Sequence, residues 1–220
     1  MIDVSNLKDA LKTLGFVAYG DIYEKVFFEI GCSLKVDFHA KRLIYPNEIK
    51  GRERNDGFDQ KENFVVFECV CRLLSKGYRP EHIELEKEWH LGHDAKGGRA
   101  DICVSDTSGN MLFIIECKTW GREYDKALNN TKSDGAQLFS YWQQEQSCKW
   151  LVLYASDLRS GCIAYKAPTI DCSDDANIIL LSKKDKSIKL YRDAHTTSAK
   201  YEAWKETYGS QIHDDLIFSE

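Results

Sequence analysis

The sequence predicts an α/β domain in which a sheet is covered by helices on both sides and preceded by an antiparallel meander. Residues 111–115 are apolar at every position, which suits a central strand buried on both faces rather than an edge strand with one wet face. Residues 63–76 carry apolar side chains around nearly the whole helical circumference, so that helix belongs inside the domain. Residues 21–45 hold three runs rich in β-branched and aromatic residues, separated by Gly31-Cys32 and His39-Ala40-Lys41. That is the pattern of a three-stranded meander.

In chain order, Leu7, Leu11 and Leu14 lie at helical spacing behind a Ser/Asn cap, and Gly15 follows, which predicts a short helix over 5–14. The meander strands are expected at 23–30, 33–38 and 42–45. Polar residues 47–61, with Gly51 and Gly57, read as a loop. The buried helix and a loop at 77–81 come next. Alternation over 83–89 then predicts a strand, and segment 92–98 predicts a mobile lead into a hairpin built from residues 98–104 and 111–118. Helical pieces follow over 122–129 and 133–146, then a strongly apolar strand at 150–155. Strand-like runs at 162–165 and 178–181 and a helix over 198–208 complete the pattern. No repeat or linker interrupts it, and a single domain over 1–220 is expected.

Composition excludes several classes. With 43% hydrophobic and 30% charged residues and only three prolines, the chain is an ordinary globular protein. Its apolar runs fall far short of a membrane span and its start resembles no signal peptide, so a cytosolic location is expected. The eight cysteines are scattered, several of them inside apolar patterns, and read as buried thiols. No Cys-x-x-Cys occurs, and His90-Leu91-Gly92-His93 has no cysteine beside it, which disfavours zinc. The net charge of −5 gives no global footprint for nucleic acid. Any DNA affinity must come from local basic segments at 41–42, 50–54 and 96–99, or from a partner.

Against that background, charges end the most apolar strand. Asp101 lies on the first hairpin strand, and Glu116 and Lys118 close the second. Charges at the end of a central strand must be paired, metal-bound or placed in a cleft. A two-residue loop at Ser108-Gly109 would set Asp101 directly opposite Glu116, and one at Gly109-Asn110 would make them diagonal neighbours on the same face. Either register brings the Cβ atoms within about 5 to 7 Å, close enough to share one hydrated divalent cation. Lys118 shares that face, while Cys117 points to the other and leaves its carbonyl as a further candidate ligand. Two acids to hold a cation and a lysine to stabilise charge or position water are the parts a metal-dependent phosphodiesterase needs.

Two helices offer neighbours. Gln137 and Tyr141 lie at i,i+4 and share a face. Glu68 interrupts the otherwise apolar helix. It reads equally well as the ion-pair partner of Arg72 at i,i+4 or as a third acid aimed into the metal site.

Taken in order, Glu68, Gly97-Gly98-Arg99-Ala100-Asp101-Ile102, Ile115-Glu116-Cys117-Lys118-Thr119 and Gly135-Ala136-Gln137-Leu138-Phe139-Ser140-Tyr141 resemble the PD-(D/E)XK nucleases of the RecB-like branch. Within that branch they are most similar to the N-terminal nuclease domain of type I restriction enzyme R subunits. The resemblance covers roughly residues 15–170, and related domains occur fused to adenine-specific DNA methyltransferases. It implies a restriction-endonuclease-like fold with a mixed central sheet flanked by helices, and Mg²⁺-dependent cleavage of double-stranded DNA with one or two ions. It further implies that Asp101 and Glu116 bind metal and that Lys118 sits at the scissile phosphate or attacking water. Glu68 would complete the site, and Gln137 and Tyr141 would orient the lysine or contact DNA. The motif's proline is Ala100 here, a position that touches no ligand.

No Gly-x-x-x-x-Gly-Lys-Ser/Thr phosphate loop and no methyltransferase motif is present. The resemblance therefore implies that ATP acts only through a motor absent from this chain, and that the chain is a nuclease domain from a larger restriction-modification polypeptide. Motor, methyltransferase and specificity parts would be its partners. The competing readings are a catalytically silent DNA-docking or assembly module of the same fold and a stand-alone structure-specific repair nuclease.

Overall fold

The computed structural model describes residues 1–91, 95–186 and 190. Helix α1 (Leu7–Thr13) leads into an antiparallel sheet of four strands, β1 (Val17–Tyr19), β2 (Ile22–Phe27), β3 (Cys32–Asp37) and β4 (Arg42–Ile44), in sequential order. One more strand is present than the meander predicts: β1 pairs with β2 across the Gly20 turn. Helix α2 (Lys61–Ser75) follows. The main sheet is then built from β5 (Ile83–Leu91), β6 (Ala95–Ser105) and β7 (Met111–Cys117) and, after helices α3 (Arg122–Asp134) and α4 (Ala136–Trp142), from β8 (Trp150–Arg159), β9 (Cys162–Lys166) and β10 (Thr169–Asp171). Helix α5 (Asp175–Ser182) closes the described part.

The main sheet runs β10-β8-β7-β6-β5, with β9 also on β8. All its pairs are antiparallel except β7 with β8, which makes the sheet mixed. Every residue of β7 is buried, as its sequence predicts. One face packs on α2. The other carries α3 and α4, and the two apolar clusters are separated by the sheet itself. Helix α2 is apolar all round because it is enclosed twice. Its side chains meet the main sheet on one side, while Phe67 meets Phe16 and Tyr45 at 5.9 and 5.4 Å on the side of the N-terminal sheet. Each such buried aromatic or aliphatic side chain contributes roughly 1.5–3 kcal/mol. Among the described residues no helix is long and apolar enough to cross a membrane.

Several expectations change. The hairpin between β6 and β7 is not closed by a two-residue loop. Asp106 takes the backbone N–H groups of Ser108 and Asn110 at 2.9 and 2.8 Å, which stabilises a longer turn. A register shift between Val104 and Ser105 absorbs the extra residue, and beyond it Ile102 pairs with Ile115. The next step along the ladder aligns Asp101 with Glu116, so the longer turn leaves the expected geometry intact. Residues 95–98, expected as a mobile lead, are the start of β6, and Leu91 pairs with Ala95. The strand expected at 178–181 is the body of α5. The Asp174 side chain caps that helix by accepting from the Ala176 N–H at 2.9 Å, and this overrides the β-preference of Ile178 and Ile179. Helix α4 starts at Ala136 rather than 133, because Gly135 at φ +73° ends α3. His93 and the helix expected at 198–208 lie outside the described residues.

Candidate active site

The site forms where β7 ends beside the middle of β6 and the starts of α2 and α4. Along β7, Ile114, Glu116 and Lys118 alternate onto the α3–α4 face, while Cys117 turns its side chain into the α2 core. Asp101 stands beside them on β6, and its Oδ2 accepts the Cys117 N–H at 2.6 Å. The Glu116 side chain is only 4% exposed, and its Oε1 lies 2.7 Å from the Lys118 ammonium. The same ammonium reaches Glu62 Oε1 at 2.8 Å, from the first turn of α2. Two carboxylates therefore pair with one lysine, and a third, that of Asp101, stands beside them.

Tyr141 fixes the second oxygen of Glu116. It is fully buried, and its single hydroxyl proton is shared between the Arg99 carbonyl at 2.5 Å and Glu116 Oε2 at 3.0 Å. Gln137, one turn earlier on α4, donates its side-chain amide to the same hydroxyl. The Tyr141 ring is stacked on Trp89 at 5.5 Å and lies against Gly98, where an added Cβ would sit 2.4 Å from Tyr141 Cε1. Gly98 is thus required by the close approach of the tyrosine. A cleft of about 290 Å³ opens beside this network, lined by Glu116, Lys118 and Gln137 and, from α3, by Glu123, Lys126 and Asn130.

The electrostatics follow from this crowding. Burial raises the Asp101 carboxyl well above the usual range, and the Glu116 charge adds to the rise against the pull of Lys118. Glu116 is also raised by burial, in part offset by Lys118 and by the Tyr141 hydroxyl. Burial opposes the charge on Lys118, but Glu116, Asp101 and Glu62 together outweigh it and raise its pKa, so the ammonium is a fixed positive charge at neutral pH. Burial in the α2 core also raises the Cys117 thiol, whose side chain points away from the acids.

The donors are hard oxygens carrying more negative charge than Lys118 offsets, which fits a divalent hard cation. Among the described residues no three His, Cys, Asp or Glu side chains form a closed cage. Mg²⁺ characteristically uses one or two carboxylates and keeps its remaining waters, and Asp101, Glu116 and the Cys117 carbonyl are the groups here that could serve it.

A model of the type I restriction enzyme R protein N terminus matches residues 62–171. The chain belongs to that family. No curated protein sequence matches it. The type I R N-terminal match begins at Glu62 and takes in all the residues above, while the N-terminal sheet lies before it.

Of the residues singled out from sequence, Asp101, Glu116, Lys118, Gln137 and Tyr141 meet in one network. Glu68 does not join it. Its carboxylate is taken by Arg72 at 2.8 Å and by the Tyr154 hydroxyl at 2.6 Å, and Arg72 also holds that hydroxyl at 3.0 Å. Of its two sequence readings, the ion pair with Arg72 is the one present. The helical acid at the site is Glu62, which sequence reasoning missed. The sequence pattern alone did not mark it: Glu62 shares a helix face with Cys69, two turns on, but that Cys69 packs on Cys117 is visible only in the fold.

Proposed function

We propose that this chain is the nuclease part of a type I restriction enzyme R subunit, of the PD-(D/E)XK type, hydrolysing DNA phosphodiester bonds with Mg²⁺. The pairing of Glu116 and Glu62 with Lys118, with Asp101 beside them and a cleft at Glu116 and Lys118, carries this reading. Asp101 and Glu116, with the Cys117 carbonyl, would hold the cation. Bound there, Mg²⁺ would supply positive charge against the phosphate and lower the pKa of water.

The remaining work falls to the chain. In the metal-free chain the neighbouring carboxylates favour the protonated form of Lys118. Its role is electrostatic: the ammonium faces the cleft and can donate to a phosphate oxygen as charge builds on it. Glu62 and Glu116 hold that ammonium in place through two ion pairs. Tyr141, itself held by Gln137, keeps Glu116 from turning away.

The test is cleavage of unmodified plasmid DNA in Mg²⁺ by the whole R subunit, compared with Asp101→Ala. The variant should leave the plasmid intact, and Mn²⁺ titration followed by calorimetry should lose binding. Cutting by the Asp101→Ala protein at the wild-type rate would overturn the assignment. Equal Mn²⁺ affinity in both proteins would favour a silent module of the same fold.

A further inference from the structure

A second basic feature lies on the same sheet face, outside the carboxylate network. Extending the parallel register of β7 and β8 from Cys117 and Tyr154 sets Lys118 beside Ala155, and Ala155 pairs in turn with Lys166 of β9. Residues side by side across a sheet point the same way, so Lys166 projects on the face of Lys118. Two strand spacings separate their Cα atoms by about 10 Å.

There Lys166 and Arg159 converge on one indole. The Lys166 ammonium lies 4.5 Å from the centre of the Trp120 ring and 4.9 Å from that of Tyr124, and the Arg159 guanidinium lies 4.5 Å from the Trp120 ring centre. Arg159 is tied to Asp157 at 3.2 Å but its side chain remains 56% exposed. Lys166 is exposed and forms no ion pair among the described residues. Two cations held near one ring repel each other. The ring faces offset part of that repulsion, and an anion lying between the cations would remove the rest. Trp120 itself stands two residues after Lys118, so the pair is mounted on the chain that leaves the site.

We propose that Lys166 and Arg159, held by Trp120, grip a DNA backbone phosphate of the strand whose scissile bond lies at Lys118. This rests on the cleavage reading above. The separation of about 10 Å corresponds to a few nucleotides at 3.4 Å of axial rise each. It also gives this acidic chain a local basic contact beside its chemistry, where a net charge of −5 offers none overall. The two residues bind and position DNA without touching the reacting atoms.

The experiment measures binding of the chain to a fluorescent 30-base-pair duplex by anisotropy in EDTA, over a salt series, with cleavage kinetics in Mg²⁺ alongside. Lys166→Ala and Arg159→Ala should each weaken binding about fivefold at low salt. Each should also lower the log–log salt slope by about 0.9, the value expected for one lost phosphate contact. In cleavage KM should rise while kcat stays within twofold. Lys166→Arg should restore affinity, and Lys149→Ala, the same charge change at the far end of β8, should behave as wild type. Wild-type affinity and slope in both alanine variants would overturn the grip, as would a wild-type chain that does not bind the duplex. The grip and the cleavage reading fail separately: binding deficits in Lys166→Ala together with active Asp101→Ala protein would leave the grip and remove the assignment.

Discussion

Helix α2 contributes two acids, six residues apart, to two clusters that differ in charge balance. Glu68 sits in a closed set in which one carboxylate meets one guanidinium and one phenol, and both carboxylate oxygens and the phenol have partners. Burial raises the Tyr154 phenol, and the Arg72 guanidinium stacks 3.9 Å from the Tyr165 ring centre. Glu62 sits in an open set in which three carboxylates face one ammonium beside a cleft. Both clusters link an acid of α2 to the main sheet, with the Glu68 side chain 2% exposed and that of Glu62 37%. What separates structure from candidate function is whether the charges close among themselves, since a buried excess of one sign persists only where something else completes it.

The largest expected effect tests the open set. Lys118→Ala removes its only cation and should lower the cleavage rate by about 10³-fold, the range seen when a fixed charge-stabilising donor is lost. Circular dichroism should show the fold retained. A variant cutting within tenfold of wild type would break the comparison, because Lys118 would then be as structural as Arg72.

Next comes the closed set. Glu68→Gln strands a buried guanidinium and should cost about 3 kcal/mol, a fall in Tm of roughly 6 to 12 °C for a chain of this size. Mn²⁺ affinity should not change. Loss of metal binding with unchanged stability would place Glu68 in the site after all.

Much of this contrast was legible in the sequence, and the reason is periodicity. Glu116 and Lys118 share a face because strands alternate, and Gln137 and Tyr141 share one because helices repeat near four residues. Those relations hold whatever the tertiary fold does. The two acids of α2 were not separable in the same way: Glu68 stood out by interrupting an apolar run, whereas Glu62 looked like an ordinary first-turn acid. Only the angle at which α2 crosses the sheet decides which acid reaches β7. The same holds for Asp106, whose side-chain turn lengthened the hairpin, and for Asp174, whose cap turned a strand-like run into a helix. In both cases the hydrogen bonds of one aspartate side chain outweighed a propensity, which a pattern of apolar residues does not record.

A smaller effect should have opposite signs in the two sets. In the metal-free protein, the Asp101 carboxyl is raised above its unfolded value by burial and by Glu116. Such a group supports folding fully below the unfolded pKa, and that support is lost as pH rises through the folded pKa. Asp101→Asn removes the titration, so in EDTA at pH 7.5 it should stabilise the protein by about 1–2 kcal/mol while abolishing cleavage. The gain over wild type should shrink as the pH is lowered toward 4. Glu68→Gln should destabilise under the same conditions. Thermal melts across pH decide between the two signs, and a destabilised Asp101→Asn protein would show that the open set is balanced after all.

Tyr141→Phe should lower activity about tenfold, because Glu116 loses a donor to a charged oxygen, a bond of about 1.5 kcal/mol or more. Gly98→Ala should act through the same tyrosine, since its Cβ would meet the ring at 2.4 Å. The double variant should then be little worse than the more impaired single one.

The smallest expected effect concerns Glu62, the acid that separates the clusters. Its side chain is 37% exposed, so Glu62→Gln should change stability by less than about 0.5 kcal/mol, as for a solvent-screened pair. The substitution still lowers the number of acids around Lys118 from three to two. Mn²⁺ affinity should therefore fall only a few-fold, because Asp101 and Glu116 remain, and kcat should fall with it as the ammonium loses one of its two anchors. An unchanged kcat would mean that Glu116 alone holds Lys118 in place. The open set would then reduce to the hairpin, with α2 supplying only its wall.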